Sequence, residues 1–393
     1  MKICFITSTV FSLGGVQRVV SVLANNLSEN FDVTIICTND KFKINRELYN
    51  LSEKVKININ KELINKKLIN KIITKPVKQI NLLTGILNNK FMESILRFAY
   101  YPKEIQNRFI NHLNSQKYDI VIGVEGYYSL LLGIISNKLV SKTIGWQHNS
   151  YNAYLNSKFK YYWNQDQLFN KYVPKLNKYV VLTEEDRISY KKINKIICTV
   201  IYNPVSFKSI EKAQCIEKSI IFVGRFAEQQ KGLDLLIKAF HLIHKQRKDW
   251  ILKMVGDGDD KIKLIKDIKK YNLENNVILV GESNYVKEHY LKSSIFVSTS
   301  RWEGFGLVII EAMECGLPVV SFDNSGPKEI INSPGINGIL VKNHDFRKLS
   351  SEIISLIDNY EKRKTISLES IKRAKFFSSD KISKEWIKLL KDI

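Results

Sequence analysis

The stretch RWEGFGLVIIEAMECGLPVVSF, which follows the apolar run SIFVSTS, holds the densest chemistry in the sequence. Glu303 and Glu311 stand eight residues apart, with Gly304 and Gly306 between them and a helix pattern opening near Phe305. A helix start flanked by glycine offers unpaired backbone N–H groups and the positive end of the helix dipole, which together attract an anion. The backbone of Gly304, Phe305, Gly306 and Leu307 is therefore a candidate anion contact. Glu311, about a turn and a half into the helix, carries the two acceptor oxygens that a vicinal diol such as ribose requires. Glu303, on the preceding loop, can serve a second polyhydroxylated group in the same way.

FVGRFAEQQKG (222–232) places Arg225 just past another apolar run and Lys231 six residues further on. Two cations on a strand-to-helix loop can neutralise a departing diphosphate. MVGDGDD (254–260) adds a glycine turn, and GES (281–283) is a further strand exit where Glu282 and Ser283 can meet a nucleobase. In the first half, SLGGVQR (12–18) carries Gly14 and Gly15, which let the backbone approach a ligand closely. The spacing is not GxGxxG, so a dinucleotide site has poor support. His148 sits at the end of the run TIGWQH, where a lone His is usually structural. No Asp-x-Asp motif lies in a suitable place, and Asp257, Asp259 and Asp260 read better as a turn. Protein cations can do what a metal does elsewhere, so metal-independent chemistry with no cofactor is expected.

These residues all follow short Ile- and Val-rich runs. KICFITS (2–8), DVTIIC (32–37), YDIVIGVE (118–125), TIGWQH (143–148) and KYVVLT (178–183) form one series. SIIFVG (219–224), WILKMVG (250–256), NVILVG (276–281), SIFVST (294–299) and LPVVSF (317–322) form a second. Fully apolar runs that alternate with helix-period stretches mark parallel strands covered on both faces. The pattern predicts an α/β protein of two Rossmann-like, doubly wound domains. The expected divisions are 1–200, a linker at 201–218 opened by Asn203-Pro204, a second domain at 219–378, and a docking helix at 379–393 with Ile382, Trp386, Leu389 and Leu390 on one face.

The chain has 393 residues and a net charge of +22, of which residues 1–200 carry +15 from 29 basic and 14 acidic groups. Residues 61–117 break the strand–helix alternation and hold 11 basic against 3 acidic groups. Within them, 89–103 is expected to form a basic amphipathic helix with Phe91, Ile95, Phe98 and Ala99 on its apolar face, suited either to core packing or to an anionic membrane surface. No apolar run is long enough to span a bilayer, and the amino-terminal stretch is too short for a signal peptide. The five scattered cysteines form no CxxC pair, which points to a reducing compartment without disulfides or structural zinc. Nucleic-acid binding is the rival suggested by the charge, but no helix-turn-helix, zinc finger or RNA-binding strand motif accompanies it.

Glu303-x7-Glu311, GRF…QKG at 224–232, GDG at 256–258, NPV at 203–205 and GLPVV at 316–320 together resemble the retaining glycosyltransferases of the GT-B fold, family four, over essentially the whole length. The resemblance implies two Rossmann-like domains facing a central cleft. It implies that Arg225 and Lys231 bind the donor diphosphate, that Glu311 binds the nucleotide ribose, and that Glu303 holds the donor sugar beside the 304–307 backbone. The Gly14–Gly15 loop would face phosphate and acceptor, and His148 would reach the donor sugar. The expectation is a cytoplasmic enzyme, peripheral on the inner face of the cytoplasmic membrane. It would transfer a hexose or N-acetylhexosamine from a nucleotide sugar, UDP-linked by expectation, to a lipid-linked glycan of lipopolysaccharide, O-antigen or capsule. A nucleotide-sugar epimerase of the same architecture is the alternative enzyme.

Overall fold

The computed structural model describes residues 1–393, and the chain divides into two compact units. One comprises Met1–Pro204 together with Ser379–Ile393, and the other is Val205–Ser378.

The first unit is built on seven parallel strands: β1 (Lys2–Thr7), β2 (Asp32–Cys37), β3 (Lys56–Ile59), β4 (Ile120–Val124), β5 (Lys142–Trp146), β6 (Lys178–Val181) and β7 (Thr199–Val200). Their order across the sheet is β3-β2-β1-β4-β5-β6-β7. The second unit holds β8 (Ser219–Val223), β9 (Ile251–Val255), β10 (Val277–Gly281), β11 (Ile295–Ser298), β12 (Val319–Asp323) and β13 (Ile339–Lys342), in the order β10-β9-β8-β11-β12-β13 and again all parallel. Central strands such as IVIGV of β4 and SIIFV of β8 are buried along their whole length, because helices cover both faces of each sheet. The three strands that the apolar runs do not reveal, β3, β7 and β13, lie at sheet edges, where short segments keep half-exposed positions.

Two expectations are corrected. The segment 201–218 is not a free linker, because Val205–Lys218 is folded into the second unit. The Ser209 N–H donates to Glu314 Oε1 at 2.9 Å, and the Ala213 N–H to the Cys315 carbonyl at 2.8 Å. These bonds reach a hundred residues along the chain, so no local periodicity announces them.

The helix expected at 89–103 is shorter than expected, forming only over Glu93–Tyr100. Residues 61–117 form α2 (Leu68–Thr84), α3 (Glu93–Tyr100) and the helix Lys103–Gln116. Pro102 blocks continuation from α3 into the next helix. The buried positions of α3 are Glu93, Leu96 and Ala99, whereas Phe91 and Ile95 face solvent. Glu93 can be buried because Lys171, Tyr172 and Arg97 all engage its carboxylate.

The C-terminal helix Ser379–Lys391 packs on the first unit, to which it belongs. Its Trp386 stands edge-on to Trp146 of β5 with ring centres 4.8 Å apart, and Asn26 of α1 (Gly15–Ser28) donates to Ser383 Oγ at 2.8 Å. All five cysteines are buried and unpaired, and no helix is long and apolar enough to cross a membrane.

Candidate functional site

In each sheet the strand order reverses direction at one place, between β1 and β4 in the first unit and between β8 and β11 in the second. Loops leaving such a switch point diverge and open a crevice at the carboxyl ends of the strands. Gly14, Gly15, Arg225, Lys231 and the 303–307 segment lie on these loops, whereas His148 follows β5 and Glu282 and Ser283 follow β10.

In the second unit, the loop after β8 and the loop after β11 are sewn together. Lys231 ends a single helical turn, Glu228–Lys231, and its ammonium forms an ion pair with Glu303 Oε1. The same Glu303 oxygen accepts from Ser300 Oγ at 2.6 Å, and both charged side chains are nearly enclosed. The Glu303 N–H donates to Asn324 Oδ1 at 3.1 Å, while Asn324 Nδ2 donates to the Ser300 carbonyl at 2.9 Å. Arg301 braces the other side, donating to the Glu228 carbonyl and in a fork to Asp234 at 2.8 and 3.0 Å. Gly232 permits the close approach: at φ +64° it adopts a conformation costly for other residues, and a Cβ there would lie 2.2 Å from the Thr299 carbonyl oxygen.

Arg225 follows Gly224, whose backbone lies beside the Lys231 stem. Its guanidinium is exposed and has no carboxylate partner, so it is the free cation of the group. The GRF turn is fixed from below by GDG. Phe226 N–H donates to the Asp257 carbonyl at 2.7 Å, and Gly256 (φ +142°) packs so tightly that a Cβ would meet the Gly224 carbonyl at 2.0 Å. Asp257 pairs with Lys261 and Asp260 accepts from the Glu228 N–H, so two of the three carboxylates of this turn are engaged and Asp259 is exposed.

Gly304, Phe305 and Gly306 are buried and Leu307 is half-buried. Gly306, left-handed at φ +108°, opens the helix Leu307–Glu314, and no side chain caps its first N–H groups. Glu311 differs from expectation. Rather than facing an open site, it is fully buried, accepting from Ser206 Oγ at 2.6 Å and from the Tyr290 hydroxyl at 3.3 Å. Those hydroxyls occupy the two acceptor positions assigned to a ribose diol. Glu282 and Ser283 lie at the exit of β10, the edge strand, two places from β8, and are not gathered with the Lys231–Glu303 pair. Glu282 is exposed, and Ser283 accepts from the Tyr285 N–H while its hydroxyl pairs with His289.

In the first unit, Gly14 caps α1 and Gly15 begins it, without a side-chain cap. The Tyr49 hydroxyl receives the Gly14 N–H at 2.9 Å and donates back to this turn, with the Arg18 guanidinium 5.5 Å above its ring. His148 leaves β5 with its ring 4.3 Å from that of Trp146, and its Nε2 is buried without a partner. Burial pushes its pKa down to about 3, so the imidazole is neutral at physiological pH. It can exchange hydrogen bonds with a sugar hydroxyl but is a poor proton acceptor.

One residue of this unit escapes the sequence reading. Glu125 sits at the exit of β4, beside the switch point, with φ +67°. A non-glycine residue held left-handed is strained, and such strain gathers at functional loops. Burial raises its carboxyl pKa. The Tyr154 hydroxyl ties this turn to the neighbouring strand exit, receiving N–H groups from Gly126 (3.2 Å) and from His148. The only signal in the sequence is a Glu followed by Gly at the end of an apolar run.

Two doubly wound parallel-sheet units, the second with a cation–carboxylate group on its switch-point loops, give this chain the GT-B fold. Residues 208–373 match the family of glycosyl transferases group 1. A glycosyltransferase of Haemophilus influenzae with no assigned substrate is 29% identical, covering 98% of each chain. The Campylobacter jejuni N-acetylgalactosamine-N,N'-diacetylbacillosaminyl-diphospho-undecaprenol 4-alpha-N-acetylgalactosaminyltransferase is 26% identical over 97% of this chain and 98% of that one. The fold is shared with Anabaena HepE, solved in complex with UDP, at a TM-score of 0.74, 18% identity and full coverage of both chains.

Proposed function

We propose that the protein is a retaining glycosyltransferase that moves a hexose or N-acetylhexosamine from a UDP-sugar to a lipid-linked glycan in bacterial surface polysaccharide synthesis. It works peripherally at the inner face of the cytoplasmic membrane. The observation that carries this reading is the ion pair of Lys231 with Glu303, set beside the free Arg225 guanidinium and the uncapped helix start at Leu307. The Campylobacter relative named for an undecaprenol-linked acceptor, and the UDP bound by HepE, support the choice of acceptor and donor classes.

Breaking a sugar–diphosphate bond places negative charge on the leaving group and positive character on the anomeric carbon. Arg225, Lys231 and the first N–H groups of the helix at Leu307 meet the former, and cations fixed in advance lower the barrier without reorganising. Glu303, held by Lys231 and Ser300, faces the sugar and turns it toward attack. For Glu311 to bind the ribose, the nucleotide diol must displace the Ser206 or Tyr290 hydroxyl. Within the first unit, the loops at Gly14–Gly15, Glu125 and His148 are the candidate substrate contacts. Retention follows if the acceptor hydroxyl attacks from the face the diphosphate leaves, giving its proton to that phosphate. Neutral His148 then orients hydroxyls rather than removing protons. The protein cations make a divalent metal unnecessary, so transfer persists in EDTA.

The test is a panel of UDP-sugars incubated with a polyprenyl-diphosphate-linked saccharide, with UDP release and the product's anomeric configuration measured. Acceptor-dependent UDP release with an unchanged anomer supports the reading. UDP release or sugar interconversion without acceptor would instead indicate an epimerase or hydrolase.

A further inference from the structure

Helix α2 presents most of its apolar residues to solvent and meets the protein through Thr74, Asn81 and the half-buried Val77 and Leu82. At about 100° per residue, Leu68, Ile69, Ile72, Ile73, Ile80 and Leu83 fall on one arc of the helix. All six are exposed, with Leu68 at 74% and Ile72 at 65%. The only buried positions of the helix are Thr74 and Asn81. Asn81 donates to the Asn164 carbonyl at 2.8 Å and receives the Asn164 amide at 2.9 Å. Lys66 donates to Thr74, and the Lys78 ammonium lies 4.7 Å above the Tyr100 ring. The anchoring face is thus mainly polar, with Val77 as its apolar contact to the core. A helix on an ordinary water-facing surface is arranged the other way round. The apolar stripe runs on through Ile86, and Phe91 beyond it is 95% exposed.

The charge pattern selects the occupant. Residues 63–92 contain no Asp or Glu and six lysines, of which Lys67, Lys71, Lys75 and Lys90 are exposed, with Lys71 and Lys75 along one flank of the stripe. A second copy of the chain would bring like charges together, whereas an anionic lipid surface satisfies both the lysines and the apolar stripe. We infer that α2 and the turn from Ile86 to Phe91 lie in the interfacial layer of an anionic bilayer, with the apolar stripe among the acyl chains and the exposed Lys67, Lys71, Lys75 and Lys90 at phosphate level. This deepens the reading of a membrane-borne acceptor and rests on it only for its purpose, since the binding is measurable without any sugar.

The test is sedimentation of the full chain with phosphatidylcholine vesicles that contain or lack phosphatidylglycerol. Wild type should bind the anionic vesicles. Ile72→Gln/Ile80→Gln and Lys71→Glu/Lys75→Glu should each bind roughly tenfold more weakly at unchanged Tm. A dye on Leu83→Cys, selective because the native cysteines are buried, should shift to the blue on binding. The inference is overturned if wild type stays in solution or if Ile72→Gln/Ile80→Gln binds as tightly as wild type. It is equally overturned if wild type is a dimer by sedimentation velocity that those substitutions dissociate. Transfer to a short water-soluble acceptor should survive Ile72→Gln/Ile80→Gln; its absence in wild type would count against the transferase reading alone.

Discussion

Lys231 and Glu303, 72 residues apart in the chain, meet as an ion pair that closes the loop after β8 onto the loop after β11. Neither charge is well solvated, so each depends on the other and on Ser300. Lys231→Ala leaves a shielded carboxylate held by the Ser300 hydroxyl without its counter-charge. The expected loss is about 2 kcal/mol of stability, below the cost of breaking a fully buried pair. Transfer should fall at least roughly a hundredfold in kcat/KM, as for removal of one charge-stabilising donor. Lys231→Ala/Glu303→Ala should recover most of the stability and none of the activity. A double-mutant cycle on Tm and UDP release checks this, and a double variant no more stable than Lys231→Ala would refute the coupling.

Arg225 and Glu311 should separate function from folding in opposite senses. Arg225 is exposed and unpaired, so Arg225→Ala should stay within about 0.5 kcal/mol of wild type while its KM for the donor rises sharply. Glu311 is enclosed, and Glu311→Ala strands the Ser206 hydroxyl while the Tyr290 hydroxyl keeps the Val308 carbonyl, at a cost of about 2 kcal/mol. Chemical denaturation alongside donor titration reads both. Equal destabilisation by the two substitutions would mean that the contacts assigned to one of them are wrong.

At Glu125 a side chain is kept in a backbone conformation that favours glycine. Glu125→Gly should therefore raise stability, by up to about 1 kcal/mol after the added flexibility of the unfolded chain is subtracted. It should also reduce kcat with a soluble acceptor. Glu125→Gln keeps the strain and size but not the charge, so comparing the two shows whether the carboxylate matters. Full activity in both variants would make the strained Glu incidental.

Much of the fold was legible because parallel strands covered on both faces must be apolar throughout, and ten strands advertise themselves in that way. β3, β7 and β13 do not, since edge strands need not be apolar on both sides. The Lys231–Glu303 group was visible as residue types at loop positions, but its pairing was not, because the pair is made by tertiary folding. Glu311 shows the same limit: its position in the helix is legible, and its burial under Ser206 and Tyr290 depends on the segment at 203–218, which has no periodicity. The reversed polarity of α2 was hidden for a different reason. An amphipathic pattern gives the apolar side of a helix without saying whether protein lies there.

His148 gives a pH signature whose sign follows from its burial. Its pKa is about 3 in the folded protein against an ordinary 6.5, because the ring is desolvated and Nε2 has no partner. Above pH 6.5 both folded and unfolded states keep the imidazole neutral, and the group has no influence on stability. As the pH falls below 6.5 the unfolded chain takes up a proton that the folded one refuses. Stability is therefore lost progressively toward pH 3, with the slope of at most one proton. His148→Gln removes this site, so urea melts of wild type minus variant should be flat at neutral pH and slope downward in mild acid. Activity should show no limb from His148 near neutrality, because the ring is already neutral there. A difference curve that stays flat in acid would place the imidazole in contact with water and remove the basis for treating it as a neutral orienting group.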